Sequence, residues 1–412
     1  MNLTKPTRYI GENIASQFSL KLIDLGLTLW LIPYLILTVG IAQYGHYVFA
    51  LSLVLFFVNL VSYGFNLSAV RELARYRDVP AKVNEIFNEV FWVRLCLFGG
   101  LYPLLLLLIG AVPAFSQYKA LYGYASLLLL PELCSLRWFF KGMEKMKYIT
   151  IIQFAGTCLY VLLVLLFIRN PSDVSRLPLM EFIAMFIVSV ISFVWVLKKY
   201  RIQLKALPIK RILDYLWNHF SAFINLLLPS TYGITTVFIV GFFVLPAQLA
   251  LLQIGLRVAA VFSAIDTILT TVFYPVVNRE KKMMLPVRSL LISVGITMGL
   301  SMFFLADYLV LNWLSFERLS DVVHLRRMIQ VLSLAPVLIA LASAYGVQGL
   351  LPYYKDRLFA KATFFATVCM LFSACFLVPR FAFYGGAISF LFGRLVYALL
   401  SGYYFKTTHI YG

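Results

Sequence analysis

The chain has 412 residues, of which 62% are hydrophobic and only 13% are charged, and its formal net charge is +18. A soluble domain keeps roughly a quarter of its residues charged, so this composition excludes a soluble globular protein. Apolar runs long enough to cross about 30 Å of hydrocarbon recur from one end of the chain to the other. We therefore predict an all-α integral membrane protein.

Twelve transmembrane helices are predicted in chain order. Long apolar runs without alternation indicate helices and not barrel strands, because every backbone amide must be paired inside lipid. No predicted loop is long enough to fold as a separate soluble domain. The approximate ranges are 17–40, 47–67, 88–111, 121–140, 148–168, 179–197, 219–244, 247–276, 287–313, 327–349, 360–379 and 383–405.

Lysine and arginine residues indicate the orientation of these helices. Of the 35 basic residues, about 24 lie at the termini and in the even-numbered loops, and about 7 lie in the odd-numbered loops. Because basic residues accumulate in short cytoplasmic loops, both termini are predicted to be cytoplasmic. This bias, with the attraction of lysines to anionic lipid headgroups, explains the net charge without a nucleic-acid partner.

The sequence also shows a weak internal repeat. The offsets are 205, 208 and 207 residues for Ala42 with Ala247, Glu72 with Glu280, and Gly142 with Gly349. Three agreeing offsets predict two six-helix lobes, residues 1–205 and 206–412. Since six is an even number, the lobes would be related by a pseudo-two-fold axis along the membrane normal. Such paired lobes are typical of transporters that rock around a central cavity.

Residue patterns typical of enzymes are missing from the sequence. None of the four histidines is at metal-ligand spacing from a second ligand, and the five cysteines all fall within apolar spans. There is neither a phosphate-binding loop of the GxxxxGK[ST] type nor a nucleophile elbow. The sequence therefore predicts a protein that is not an enzyme and has neither a cofactor nor a metal site.

Charged side chains inside the predicted spans are the candidate functional residues, because a charge at the bilayer centre is costly unless it faces water or a partner. Four basic groups against three acidic ones favour a cavity adapted to an anion. We expect the basic residues to bind substrate, and two of the acids, Asp24 and Asp266, to couple an ion. The basic residues are Lys21, Arg94, Arg257 and Arg394, and the acidic ones are Asp24, Glu132 and Asp266.

Most of these charges have a structural alternative. Lys21 and Arg94 are near the cytoplasmic interface, where long basic side chains can extend to water. Asp24 could neutralise Lys21, since the two are three residues apart on one helix. Glu132 could cap its helix or pair with Arg137.

Arg257 is the strongest candidate for a substrate-binding residue. Like Arg394, it is several turns from the cytoplasmic end of its span, and no acidic residue lies one turn away on its own helix. Asp266 is nine residues further on and points to the opposite face, where it could serve as a structural partner in a contact between the lobes.

Three segments resemble helix junctions of bacterial polysaccharide flippases. PELCSLRWFFKGMEKMKYIT is similar to the junction of the fourth and fifth helices, YGFNLSAVRELARYRD to the second and third, and YGVQGLLPYYKDRLFAK to the tenth and eleventh. The segment LQIGLRVAAVFSAI around Arg257 resembles the eighth helix more loosely. The chain thus resembles O-antigen flippases of the Wzx type, in the multidrug/oligosaccharidyl-lipid/polysaccharide exporter superfamily.

The resemblance implies a substrate, an oligosaccharide repeat unit on undecaprenyl diphosphate. It would move by alternating access from the cytoplasmic to the periplasmic leaflet of the cell inner membrane, with membrane lipids, an O-antigen polymerase and a chain-length regulator as partners. Two alternatives remain open. A multidrug exporter of the same superfamily would carry acids in its cavity, and an O-antigen polymerase would carry large arginine-bearing periplasmic loops.

The segment WFFKGMEKMKY, residues 138–148, places three lysines between two apolar runs. It is interpreted as a cytoplasmic hinge in which Gly142 permits a tight turn. Its lysines could be a plain topology anchor, or could gate or capture an incoming phosphate headgroup.

Overall fold

The computed structural model describes residues 23–66, 68–230, 232–313, 319–353 and 355–410, and every regular element in these ranges is a helix. In chain order the α-helices are α1 (Ile23–Val39), α2 (Ile41–Ser62), α3 (Ser68–Tyr76), α4 (Pro80–Ala111), α5 (Pro113–Ser116), α6 (Lys119–Ser126), α7 (Leu129–Leu133), α8 (Arg137–Gly142), α9 (Met146–Phe167), α10 (Leu177–Lys199), α11 (Ile209–Ser230), α12 (Tyr232–Gly241), α13 (Pro246–Arg279), α14 (Met284–Trp313), α15 (Leu319–Leu332), α16 (Leu334–Ala342) and α17 (Asp356–Ile410).

Eight helical segments of the described residues are long and apolar enough to cross a membrane. Large apolar side chains on them are exposed, as is typical of helices that face lipid; Phe304 is 74% exposed and Phe372 is 67% exposed. The predicted all-α membrane class is therefore confirmed, and the protein is multi-pass. The count of twelve spans stays a prediction. The eight segments are Ile41–Ser62, Pro80–Ala111, Met146–Phe167, Pro171–Lys199, Pro246–Asn278, Lys281–Trp313, Leu319–Tyr353 and Asp356–Thr407.

Three of the predicted spans have a more irregular backbone than the apolar pattern indicates. The predicted span 121–140 is divided among the short helices α6, α7 and α8. The last two predicted spans run together in α17, which bends at Ala382, where the backbone takes a φ of 48°. Pro379, three residues earlier, lacks the amide hydrogen that would continue the helical bonding, and this explains a break near that point.

The described residues form two compact units. Residues 23–31 and 49–230 belong to the first, unit 1, and residues 32–48 and 232–410 belong to the second, unit 2. The linker between α10 and α11 is bound to α4 within unit 1. The backbone amide of Lys205 donates to the side chain of Asn88 (2.7 Å), which in turn donates to the carbonyl of Gln203 (2.8 Å). The predicted boundary between lobes at residues 205 and 206 stays a prediction.

An aromatic core holds the short helices of unit 1 together. Trp138, Phe139 and Phe140 of α8 are buried, and Phe139 packs edge-on against Phe87 of α4 with 5.7 Å between ring centroids. Gly142, at the end of α8, permits a close approach to α3, since a Cβ there would lie 2.8 Å from the Leu73 side chain. The left-handed residue of the turn is Glu144, with φ 55°, so the tight turn expected of Gly142 is made two residues later.

Unit 2 has a close contact of small residues between α14 and α16. Gly295 and Gly299 are four residues apart, and a Cβ on Gly295 would lie 2.2 Å from the Cβ of Ala340. A Cβ on Gly299 would lie 2.8 Å from the carbonyl oxygen of Ser333. Small residues at this spacing let two helix backbones approach within a membrane, where apolar surface alone gives little driving force for association.

Candidate functional site

The structure separates the predicted site residues between the two units. Asp24 and Arg94 lie in unit 1, whereas Arg257, Asp266 and Arg394 lie in unit 2. Lys21 lies outside the described residues. Each unit therefore contains at least one basic and one acidic candidate within its apolar helices.

Asp24 of unit 1 is held by neutral polar side chains. The residue is 6% exposed, and its carboxylate accepts hydrogen bonds from Gln153 Nε2 at 2.7 Å and Thr157 Oγ1 at 2.5 Å. Both donors lie on α9, one turn apart, so one helix face presents them to α1. Hydrogen bonds of this kind stabilise a carboxylate away from water, and an ionised acceptor makes them stronger.

Arg94 stabilises a break in the backbone of unit 1. Its side chain is 2% exposed, and its Nη2 lies 3.3 Å from Oε1 of Glu132. Its Nη1 donates to the backbone carbonyls of Glu132 at 3.1 Å and Ser135 at 2.7 Å. Glu132 lies in the last turn of α7 and Ser135 lies two residues after its end, where a helix no longer supplies donors for all of its carbonyls. Arg94 thus explains why the predicted fourth span is interrupted, while its binding of substrate stays a prediction.

Replacing Arg94 with leucine is expected to reduce the amount of folded protein. The change leaves the largely buried Glu132 carboxylate without its cation, and breaking such a pair costs about 3–5 kcal/mol. Thermal unfolding of the purified protein in detergent measures the effect, and Arg94→Leu combined with Glu132→Leu should recover part of it. If Arg94→Leu unfolds like the wild type but abolishes transport, Arg94 belongs to the substrate site instead.

Asp266 of unit 2 contacts a distorted helical turn. It is 1% exposed, and its Oδ2 accepts a hydrogen bond of 2.9 Å from Oγ of Ser343. Ser343 begins a single π-helical turn, Ser343–Val347, and such turns frequently occur at functional sites. Just after this turn, Gln348 Nε2 donates to the carbonyl of Thr270 at 2.8 Å. Asp266 and Thr270 are one turn apart on α13.

Four buried oxygen atoms beside this turn have no hydrogen-bond partner among the described residues. They are Oδ1 of Asp266, Oγ1 of Thr270, Oε1 of Gln348 and Oγ of Ser401. Ser401 adjoins the turn, since a Cβ on Gly346 would lie 3.2 Å from its Oγ. A buried carboxylate oxygen without a donor is expensive, and one carboxylate among neutral oxygens suits a proton or a monovalent cation. We name these four residues the oxygen cluster.

The two arginines predicted for substrate binding in unit 2 are both partly buried. Arg257 lies on α13, eleven residues after the helix begins, which is about 16 Å along its axis. Arg394 lies on the second arm of α17, with its guanidinium carbon 5.3 Å from the ring centroid of Phe390. Their depth in the membrane and their role in substrate binding stay predictions.

The neutral partners of the two acids were missed by the sequence reasoning. Gln153 and Thr157 for Asp24, and Ser343 for Asp266, all lie in apolar runs. In the sequence they are visible only as polar residues inside predicted spans, and a polar residue indicates a site less strongly than a formal charge does. A search for polar residues one turn apart would have found Gln153 with Thr157.

Comparison with known proteins supports a transporter. The family described as "Polysaccharide biosynthesis protein" matches residues 10–281 of the chain. A "Putative O-antigen transporter" of Escherichia coli (strain K12) is 25% identical over 365 residues, covering 87% of this chain and 88% of that protein.

Two solved structures have a similar fold. A lipid II flippase, MurJ, in an inward closed conformation has a TM-score of 0.76 at 12% identity, over 95% of this chain and 87% of that one. A multidrug resistance transporter of the MATE family, in an inward-facing conformation, has a TM-score of 0.72 at 13% identity, over 96% of this chain and 98% of that one.

Proposed function

The chain belongs to the polysaccharide biosynthesis protein family, and from that premise we propose that it flips O-antigen repeat units linked to undecaprenyl diphosphate. It is a transporter and not an enzyme, and its fold is that of flippases and exporters. The observation that most supports this proposal is the similarity to an O-antigen transporter over most of both chains. The direction we propose is from the cytoplasmic to the periplasmic leaflet of the cell inner membrane.

The charges inside the helices support an anionic lipid as substrate. A diphosphate cannot cross hydrocarbon unaided, so a cationic, hydrated path must shield it while the lipid tail stays in the bilayer. Guanidinium groups suit this purpose, because they bind phosphate oxygens bidentately and remain charged at any physiological pH. We assign this role to Arg257 and Arg394 first, with Lys21 and Arg94 as further candidates.

The proposed mechanism is alternating access by twelve helices in two six-helix lobes with both termini in the cytoplasm. An O-antigen polymerase and a chain-length regulator would act on the exported units. Outward movement of an anion from an inside-negative cell is favourable by about 2.3 kcal/mol per charge per 100 mV. A counter-ion, either a proton or sodium, would add to this, with Asp24 and the oxygen cluster around Asp266 as its carriers.

The competing function is multidrug export, which the similarity to a MATE transporter supports at the level of fold. Expression in a strain that lacks its own O-antigen flippase separates the two. A flippase restores the ladder of surface polysaccharide and clears the repeat units that accumulate on the cytoplasmic face. If the cells instead gain resistance to cationic drugs and show no ladder, the protein is a multidrug exporter and the flippase proposal is wrong.

The proposed orientation predicts which loops a membrane-impermeant thiol reagent reaches. The protein should first have its five cysteines replaced, and single cysteines are then introduced as Leu204→Cys and Leu245→Cys. Both side chains are exposed, at 43% and 68%. In intact cells with a permeabilised outer membrane, the reagent should label position 245 and not position 204. The opposite pattern would reverse the orientation and the proposed direction of transport.

A further inference from the structure

A group of lysines and aromatic rings meets at the turn between α8 and α9 and the last turn of α10, all within unit 1. The members of this lysine–aromatic cluster are Lys145, Lys147, Lys199, Tyr148, Trp195 and Tyr200. The oxygen cluster, Asp24 and the arginines are used by the proposed function, whereas this cluster is not.

Each lysine of the cluster lies on the face of a ring. Lys199 Nζ is 4.3 Å from the centroid of Trp195 and 5.7 Å from that of Tyr148. Lys147 Nζ is 5.4 Å from the same tyrosine ring. A ring face attracts an ammonium group but occupies only one side of it, so most of its three N–H donors remain available.

Lys145 makes two contacts with Tyr200, one with its ring and one with its hydroxyl group. Its Nζ is 5.1 Å from the centroid of Tyr200 and donates a hydrogen bond of 2.8 Å to the hydroxyl of that residue. The ring of Tyr200 packs edge-on against buried Phe139, with 5.1 Å between centroids. The lysine is therefore pre-positioned, and less side-chain entropy is lost when it binds a ligand.

The rings form a rigid base for the lysines. Tyr148 packs against Trp195, at 5.0 Å, and against buried Phe140, at 5.5 Å between centroids. Tyrosine and tryptophan in such a position are typical of the headgroup level of a bilayer, where one side of the ring is apolar and the other is wet.

The charge around the cluster is almost wholly positive. None of its three lysines forms an ion pair within the described residues. The neighbouring acid, Glu144, is engaged by Arg77, whose Nη1 lies 2.5 Å from its carboxylate. Burial and, to a smaller extent, the positive charge of Arg137 lower the pKa of nearby Lys141. An anion placed here would relieve mutual repulsion among these groups.

We propose that the lysine–aromatic cluster binds the phosphate group of a membrane lipid. Lysine ammonium groups bind phosphate as point charges, and the rings place them at the depth of lipid headgroups. The phosphate belongs either to an anionic phospholipid or to a lipid-linked diphosphate. The site does not depend on the proposed function, because lipid binding and export are measured separately.

The test is lipid binding to the purified full-length protein. Native mass spectrometry compares phosphatidylglycerol, phosphatidylcholine and undecaprenyl diphosphate, with soluble pyrophosphate added as a competitor. We expect phosphatidylglycerol or the lipid diphosphate to bind more tightly than phosphatidylcholine, and the tighter of the two identifies the source of the phosphate. Binding of pyrophosphate without binding of either lipid would contradict a lipid site.

The decisive variant combines Lys145→Gln, Lys147→Gln and Lys199→Gln. Since each lysine near an anionic surface contributes about fivefold, the loss of three should lower the affinity by about a hundredfold. The matched control is Lys355→Gln with Lys361→Gln and Lys406→Gln, which removes the same charge from exposed positions of unit 2. The corresponding triple change to arginine should retain binding. An equal loss in the control, or unchanged affinity in the cluster variant, would overturn the proposal.

Discussion

Export of lipid-linked repeat units is expected to stop when Arg257 is replaced with alanine, while the protein still accumulates in the membrane. The residue lies about 16 Å along α13 from Pro246, at a depth where a guanidinium must face water, a partner or an anion. A hydrogen bond to a charged group contributes about 1.5–3 kcal/mol, so losing a bidentate pair would reduce transport by more than about a hundredfold. Arg257→Lys should retain partial function, because the charge remains without the planar fork.

The ladder of surface polysaccharide in a flippase-deleted strain measures this effect, with an immunoblot for the protein level. Arg380→Ala is the matched control, since it removes the same charge from an exposed side chain of unit 2. That control should leave the ladder intact. A wild-type ladder from Arg257→Ala would remove the residue from the substrate site, and a vanished protein band would assign it a structural role.

The helical membrane class could be predicted because it depends on composition alone. An apolar run must become a helix in lipid whatever its neighbours are, so α2, α9 and α10 occur close to the predicted spans 47–67, 148–168 and 179–197. The same reasoning overlooked the break between α7 and α8. The carbonyls at that break are bound by Arg94, which is 38 residues from Glu132 and reaches its carbonyl only in the folded unit.

The candidate sites were predictable only in their charged members. A formal charge in an apolar run is visible in one sequence, and this signal drew attention to Asp24 and Asp266, whose role in ion coupling stays a prediction. Their donors depend on which helices pack together, as in the contact between Asp266 and Ser343, 77 residues away. The left-handed φ of Glu144 was equally invisible, since glycine and not glutamate is the usual residue there.

The Asp266→Asn variant is expected to fold normally but to lose most of its export activity. The asparagine amide still accepts the hydrogen bond from Ser343, yet it neither takes up a proton nor provides the negative charge that a cation requires. Coupling between two bound ligands is typically worth about 5- to 150-fold, and we expect a loss in this range. Asp266→Glu should retain part of the activity.

Transport of a fluorescent lipid-linked oligosaccharide in proteoliposomes, with an imposed proton or sodium gradient, separates coupling from binding. The wild type should be accelerated by one of these gradients, whereas Asp266→Asn should transport at the same slow rate with and without it. Asp307→Asn is the matched control, because Asp307 is half-exposed in an ion pair with Arg326 and should remain coupled. If Asp266→Asn still responds to the gradient, the oxygen cluster does not carry the ion, and Asp24 with Gln153 and Thr157 becomes the remaining candidate.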